Sequence, residues 1–158
     1  MDVDWVGALI GAVAGAGLTA VGGYIAYRFE RARIERNSLR ELARNLSERR
    51  AFRIAMPAVV PDARHSADFE RLNRSIIAAR EEIRLTRLAL VHGAEAQGVL
   101  TRMIQTCNEY LENSDRQPDR YWFLAATLRD NLHEHLRQLP LDLQVVPRPG
   151  DEAFLPIR

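Results

Sequence analysis

The chain has 158 residues, 47% of them hydrophobic and 27% charged, with a formal net charge of +1. Its one cysteine, Cys107, excludes an internal disulfide and agrees with a reducing compartment, and the length past the N-terminal segments leaves room for one small core but no second domain. The near-neutral total hides a split of −2 over residues 1–27, +5 over 28–53 and −2 over 54–158, and a basic charge confined to one short stretch argues against a nucleic-acid-binding domain. All 22 basic residues are arginine, which together with abundant alanine fits a bacterial genome rich in G and C.

Residues 1–4 form a short acidic N-terminus, expected outside the cytoplasm. Trp5 to Tyr27 then run without a charged side chain. A helix of that length spans roughly 35 Å, enough to cross a hydrocarbon core of about 30 Å with some tilt. The segment 5–27 is therefore predicted to be a transmembrane helix. A cleaved secretory signal, with Leu18-Thr19-Ala20 near a cleavage point, is the competing reading. Such a signal wants a basic n-region and a shorter apolar stretch, and here Asp2 and Asp4 stand where the basic residues should be.

Within the run, Gly7, Gly11 and Gly15 stand four apart on one helical face, loosely continued by Gly22 and Ala26, with Ala8, Ala12 and Ala16 beside them. Small residues at this spacing let two backbones approach closely where the hydrophobic effect cannot drive association, so Gly7, Gly11, Gly15 and Gly22 are the expected contact stripe of a homo-oligomer or of a membrane-protein partner. A lone span whose glycines reflect composition is the bland alternative.

Residues 28–55 are predicted to continue as a basic juxtamembrane helix, since no Gly or Pro interrupts Tyr24 to Met56. Arg28, Arg31, Arg33 and Arg36 are the candidate contacts to anionic lipid head groups, each worth about 1 kcal/mol near the surface. Basic residues stay on the cytoplasmic side, so the N-terminus is expected outside and the C-terminal bulk inside, in a single-pass inner-membrane protein. Leu39, Leu42 and Leu46 make an apolar stripe too brief for a coiled coil. The first thirty residues resemble the single-pass, N-out anchors of bacterial envelope and division-associated proteins with a helical cytoplasmic tail, through Trp5, Ala8-Leu9-Ile10-Gly11, Gly15 and Arg28-Phe29. The rest departs from them, being a broken bundle rather than a longer coiled coil.

Pro57 and Pro61 mark a linker over 56–65, in which Ala58-Val59-Val60 is expected to run extended across the following domain. Residues 66–140 are predicted to be a small antiparallel three-helix bundle, making the chain all-α. Ser66 caps the first of the three, with Phe69, Leu72, Ile76, Ala79, Ile83 and Leu90 inward and Gly93 placed to end it in a left-handed conformation. The next, about 95–113, turns Val99, Leu100, Met103, Ile104, Cys107, Tyr110 and Leu111 inward. The last starts at Pro118 and carries Tyr121, Ala125, Leu128 and Leu132. Residues 141–158 form a Pro-rich tail without helical period.

Chemistry-bearing patterns are sparse. His133-Glu134-His135 has the imidazoles two apart, about 200° round a helix, so they cannot close on one ion, and no metal or cofactor is expected. Cys107 sits on an apolar stripe as core filler, and Glu81-Glu82 with Arg80, Arg84 and Arg87 read as an ion-paired face. Tyr121-Trp122-Phe123 cannot all enter one core, which makes Trp122 and Phe123 the candidate partner surface unless core and tail share them. No nucleophile–base pair or phosphate loop can be assembled, so the chain is not expected to be an enzyme and no small-molecule substrate is inferred. The expected function is a membrane-anchored helical scaffold that recruits partners at the cytoplasmic face. The alternative is a membrane-active effector or small pore assembling through the Gly/Ala-rich helix.

Overall fold

A computed structural model describes residues 4–49, 52–53, 57–91, 93–141 and 149, and of 4–22 the helical backbone alone. The chain is all-helical, without strands among the described residues: α1 (Asp4–Glu48), α2 (Ala67–Ala89), α3 (Ala94–Arg116) and α4 (Tyr121–Arg137), with single 3-10 turns at Ala63–His65 and Pro118–Arg120. It divides into two units, Met1–Ile34 and Glu35–Arg158. No helix among the described residues is long and apolar enough to cross a membrane. The side chains of 5–22, which make up most of the expected transmembrane segment, lie outside the described residues.

The second unit is a bundle with antiparallel neighbours. Arg87 meets Thr101, Arg80 meets Asn108 and Asn73 meets Tyr110, so residue numbers fall along α2 as they rise along α3. Along α3 and α4, Arg102 reaches Gln138 and Thr106 faces His135. Short connections favour this arrangement, because only four residues separate α2 from α3 and α3 from α4.

The expected three stripes do not close the core by themselves. The last part of α1 supplies a fourth: Leu39, Leu42, Ala43 and Leu46 are 0–2% exposed and belong to one apolar cluster with Ile76, Ile83, Leu100, Met103 and Leu132. This segment also runs antiparallel to α2. Glu35 accepts from the backbone N–H of Val91, Asn45 donates to Glu82, and Arg49 reaches both Glu82 and the carbonyl of Ser75. The leucine triplet is too short for a coiled coil because its partner is a bundle rather than a second copy of itself.

Helix ends explain where the expected boundaries shift. α1 stops at Glu48 rather than near Ala55: the Ser47 hydroxyl donates to Arg44 O, Arg49 N–H returns to Leu46 O, and the chain turns to place Phe52 in the core at 1% exposure. Ser66 caps α2 as expected, its Oγ accepting from Asp68 N–H at 3.2 Å. Gly93 does not end α2 in a left-handed conformation. Its φ is −92°, and it stands at the N-cap of α3. α2 has already ended at Ala89, since Leu90 turns extended to bury its side chain and its carbonyl accepts from the Gln97 side chain.

The segment before α2 is tied to the far end of the bundle by Val60 N–H to Asp119 O and Ala63 N–H to the Asp119 carboxylate. Asp62 takes φ 57°, a left-handed conformation that aspartate tolerates, and its carboxylate meets His65 Nδ1 at 2.8 Å. Beyond α4, Leu139, Leu141 and Pro149 are buried, and Arg40 donates to Leu141 O. The expectation of an irregular tail otherwise falls outside the described residues.

Two outcomes check this core. In a 35–158 fragment, Leu42→Ala should cost about 2–5 kcal/mol in urea unfolding, the same class of loss as Leu132→Ala; a self-sufficient three-helix core would leave Leu42→Ala nearly neutral. Glu82→Gln and Arg49→Met should each cost about 1–3 kcal/mol by stranding a partly buried partner, and the double variant should cost less than their sum.

Candidate functional site

In the first unit, the helix from Gly23 to Glu30 is exposed on every side. Tyr24, Ile25, Tyr27 and Phe29 are 47–74% exposed, Ile34 follows at 47%, and a Cβ built on Gly23 would meet nothing within 4 Å. Single exposed hydrophobics are ordinary, but five large ones within three turns make this an unusually apolar exposed stretch. Arginines are laid along it. Arg28 donates to the Tyr24 hydroxyl and Arg31 to the Tyr27 hydroxyl, both at 3.3 Å, while the Arg31 guanidinium lies 5.9 Å from the Tyr27 ring centre. Helical spacing of four residues makes these pairs, and the outcome is an aromatic surface with cationic heads beside it.

Exposed rings with guanidinium groups laid against them are chemically suited to a boundary between an apolar and an anionic phase. Arg33 is exposed in the same unit, and Arg36 is exposed at the start of the second. Sequence reasoning picked out the arginines as the candidate contacts and gave Tyr24, Tyr27 and Phe29 no such role, since nothing in the sequence says whether a large residue stays exposed. Gly7, Gly11, Gly15 and Gly22 lie on the helical backbone of α1, but their surroundings fall outside the described residues.

At the start of α4, Tyr121 is buried and meets Phe69 edge to face, with ring centres 5.5 Å apart. Trp122 stacks on Tyr121 at 5.0 Å and packs half-buried against the core, whereas Phe123 is 41% exposed. The two candidate partner residues thus differ: Trp122 is shared with the core and Phe123 points outward.

Cys107 is fully buried, and loss of hydration pushes its thiol up to about 12, slightly opposed by Arg80. Buried on the inward face of α3, the thiol fills the core. Burial likewise holds the Tyr110 phenol above its ordinary range, and it donates to Asn73. His133 and His135 are half-buried, with both Nδ1 atoms out of water and without hydrogen-bond partners. The pKa of His135 is lowered, chiefly by burial and then by Arg102, and its Nε2 lies 3.3 Å from the Thr106 hydroxyl. Among the described residues, no group of three or more His, Cys, Asp or Glu could hold a metal ion. Glu81 and Arg84 form a two-point ion pair at 2.6 and 2.8 Å on the surface of α2. A small cavity of about 70 Å³ lies between α3 and α4 beside Tyr110, Thr127 and Asn131, well below the size of a metabolite site.

Two buried groups tie the stability of the bundle to pH. Cys107 has a folded pKa above its ordinary 9.0, so its contribution is complete below 9 and is lost as the pH rises toward about 12. A thiol-reactive chromophore should accordingly react with the 35–158 fragment only on unfolding, at the rate of global opening. His135 titrates below its ordinary 6.5, so its contribution is present above that value and declines as the pH falls below it. His135→Gln should flatten the loss of stability on acidification below pH 6.5, measured by urea unfolding.

No protein-family model matches the chain, and no curated protein or solved structure is significantly similar to it.

Proposed function

We propose that this chain is a single-pass membrane protein whose helical bundle recruits, or is held by, partner proteins at the cytoplasmic face of a bacterial inner membrane. The observation that carries the reading is the exposed segment from Tyr24 to Ile34, with arginines on its tyrosines, directly following a helical stretch of sequence that holds no charged residue. Aromatic and cationic residues together are the composition of the membrane–water boundary, where rings settle at the head groups and guanidinium groups reach phosphates. On this reading residues 5–27 are the span, Arg28, Arg31, Arg33 and Arg36 meet anionic lipid, and the excess of arginine after the span supports an N-terminus outside.

Association is assigned to the stripe of Gly7, Gly11, Gly15 and Gly22, whose spacing removes side chains from one face. Phe123, exposed beside the core-packed Trp122, is the assigned surface for a protein partner. Catalysis forms no part of the reading, and its mechanism is placement: a folded bundle held at the bilayer, in copies set by the span.

The test is substitution within the stripe. Gly11→Ile keeps the span apolar and insertable but puts a branched side chain where a backbone must approach, so crosslinked oligomers should diminish while membrane integration persists. Leu9→Ile, off that face, should leave them unchanged. Oligomers that survive Gly11→Ile would place association in the bundle instead.

A further inference from the structure

An open groove of about 460 Å³ lies between the end of α2 and the start of α3, with Leu88, Leu90 and Gly98 in its lining. Leu90 is buried, but Leu88 is 61% exposed, so the apolar wall stands open to solvent. Arg87 is the one charged side chain among the described residues of the lining, and it donates to the uncharged Thr101 hydroxyl. Acids stand near this end of the bundle, but none of them lines the groove: Glu82 holds Arg49 and Asn45, Glu81 holds Arg84, Glu35 accepts from Val91 N–H, and Glu95 is exposed in the first turn of α3. Gly98 is the unusual member. It lies inside α3, where glycine costs about 1 kcal/mol relative to alanine. A Cβ built there would meet only the Arg102 guanidinium, at 3.9 Å, so nothing among the described residues requires the missing side chain. Its absence leaves the backbone of α3 open to close approach from the groove.

What reaches the groove follows from where the chain leaves the bundle. Arg102, one turn on from Gly98, donates to Gln138 at the end of α4. Leu141 is buried and its carbonyl accepts from Arg40, on the same stretch of α1 as the Glu35 that holds Val91. The chain after α4 therefore sets out from the end of the bundle that carries the groove. Residues 150–158, which lie outside the described residues, read Gly-Asp-Glu-Ala-Phe-Leu-Pro-Ile-Arg, an acid pair followed by large apolar residues around a proline. Leu155, preceding Pro156, is biased to extended backbone, and alternation along an extended segment puts Leu155 and Ile157 on one side. The stretch from Leu141 to Leu155 can extend to about 45 Å, beyond the roughly 35 Å length of α2, so reach does not limit it. A tethered segment also acts at an effective concentration on the order of millimolar, and so fills a shallow groove too weak to hold a free peptide.

We propose that this groove is a peptide-binding site taken by the chain's own C-terminal segment: Leu155 and Ile157 lie against Leu88 and the bare backbone at Gly98, and the acid pair Asp151-Glu152 meets Arg87. Access to the groove by any other protein then requires displacement of residues 150–158. The site lies wholly within the 35–158 unit and needs nothing of the anchor.

Disulfide trapping tests it in the full chain, held in detergent micelles and oxidised with copper phenanthroline. Cys107 is buried, and the chain with Leu155→Cys alone is the blank. Leu88→Cys with Leu155→Cys should close a bond within one chain about tenfold or more faster than Arg137→Cys with Leu155→Cys. Arg137 is exposed on the last turn of α4, just before Leu141, so a segment without a docking site would meet it at least as often as it meets Leu88. Gly98→Phe fills the floor of the groove and should bring the 88–155 pair down to the rate of the 137–155 pair, while Cys107 stays unreactive because the bundle is intact. Gly98→Leu does the same with a smaller side chain should the phenyl ring expose Cys107. Equal rates for the two pairs, or a fast 88–155 rate that filling the groove leaves unchanged, overturn the proposal. A bond that forms between chains instead of within one also overturns it, in favour of a second copy on the groove.

Discussion

The core of the folded unit is completed at the seam between the last turns of α1 and α2. Leu39, Leu42, Ala43 and Leu46 fill the space that α2, α3 and α4 leave open, and beside them Arg49, Glu82, Asn45 and Ser75 form a half-buried polar clamp. The leucines supply the free energy, each fully buried side chain being worth about 1.5–3 kcal/mol, and they do so without direction. Direction comes from the clamp, because a guanidinium and a carboxylate at 2.6 Å, each 24% exposed, lose much more from a register slip than apolar contacts do. Arg49 Nε is buried without a partner, so the clamp is not fully compensated and its worth lies more in specifying the register than in net stability.

That seam gives the bundle two unlike ends. At the entry end stand Glu35, the α2–α3 tip and the chain after α4, where Arg40 holds Leu141. Its exposed large hydrophobic residues, Leu85, Leu88 and Val91, are aliphatic. The other end is knitted by backbone and carboxylate contacts around Asp119 and by the edge-to-face pair of Phe69 and Tyr121, and it exposes a single large aromatic, Phe123. An antiparallel bundle with short loops must put the entry of its first helix and the exit of its second at the same end, so this polarity follows from topology.

Buried titratable groups in the bundle behave as structure. Cys107 and Tyr110 are held neutral by loss of hydration, Tyr110 with a hydrogen bond to Asn73. Most of the visible charge is instead spent along helix surfaces, as in Arg71 with Asp68, Arg74 with Glu70 and Arg84 with Glu81. Exposed pairs of this kind add little net stability and serve mainly to keep the outer faces wet.

The sequence by itself determined the all-helical class, the Ser66 cap, the reversal of α2, α3 and α4, and the inward faces of Phe69, Ile76, Ile83, Met103, Cys107 and Leu132. These are properties of 3.6-residue periodicity and local capping, written in residues a few positions apart. It also marked Leu39, Leu42 and Leu46 as a stripe, but their destination was decided only by the tertiary structure, because a stripe states that a face is apolar and not what covers it. The end of α1 and the role of Gly93 were hidden for the same reason: Phe52 and Leu90 leave their helices to reach a core assembled from residues far along the chain. Of the candidate site, the arginines were legible as charge beside an apolar run. The exposure of Tyr24, Tyr27 and Phe29, and of Leu85, Leu88 and Val91, was not, since a large hydrophobic residue reads alike in core and surface until the rest of the fold leaves it outside.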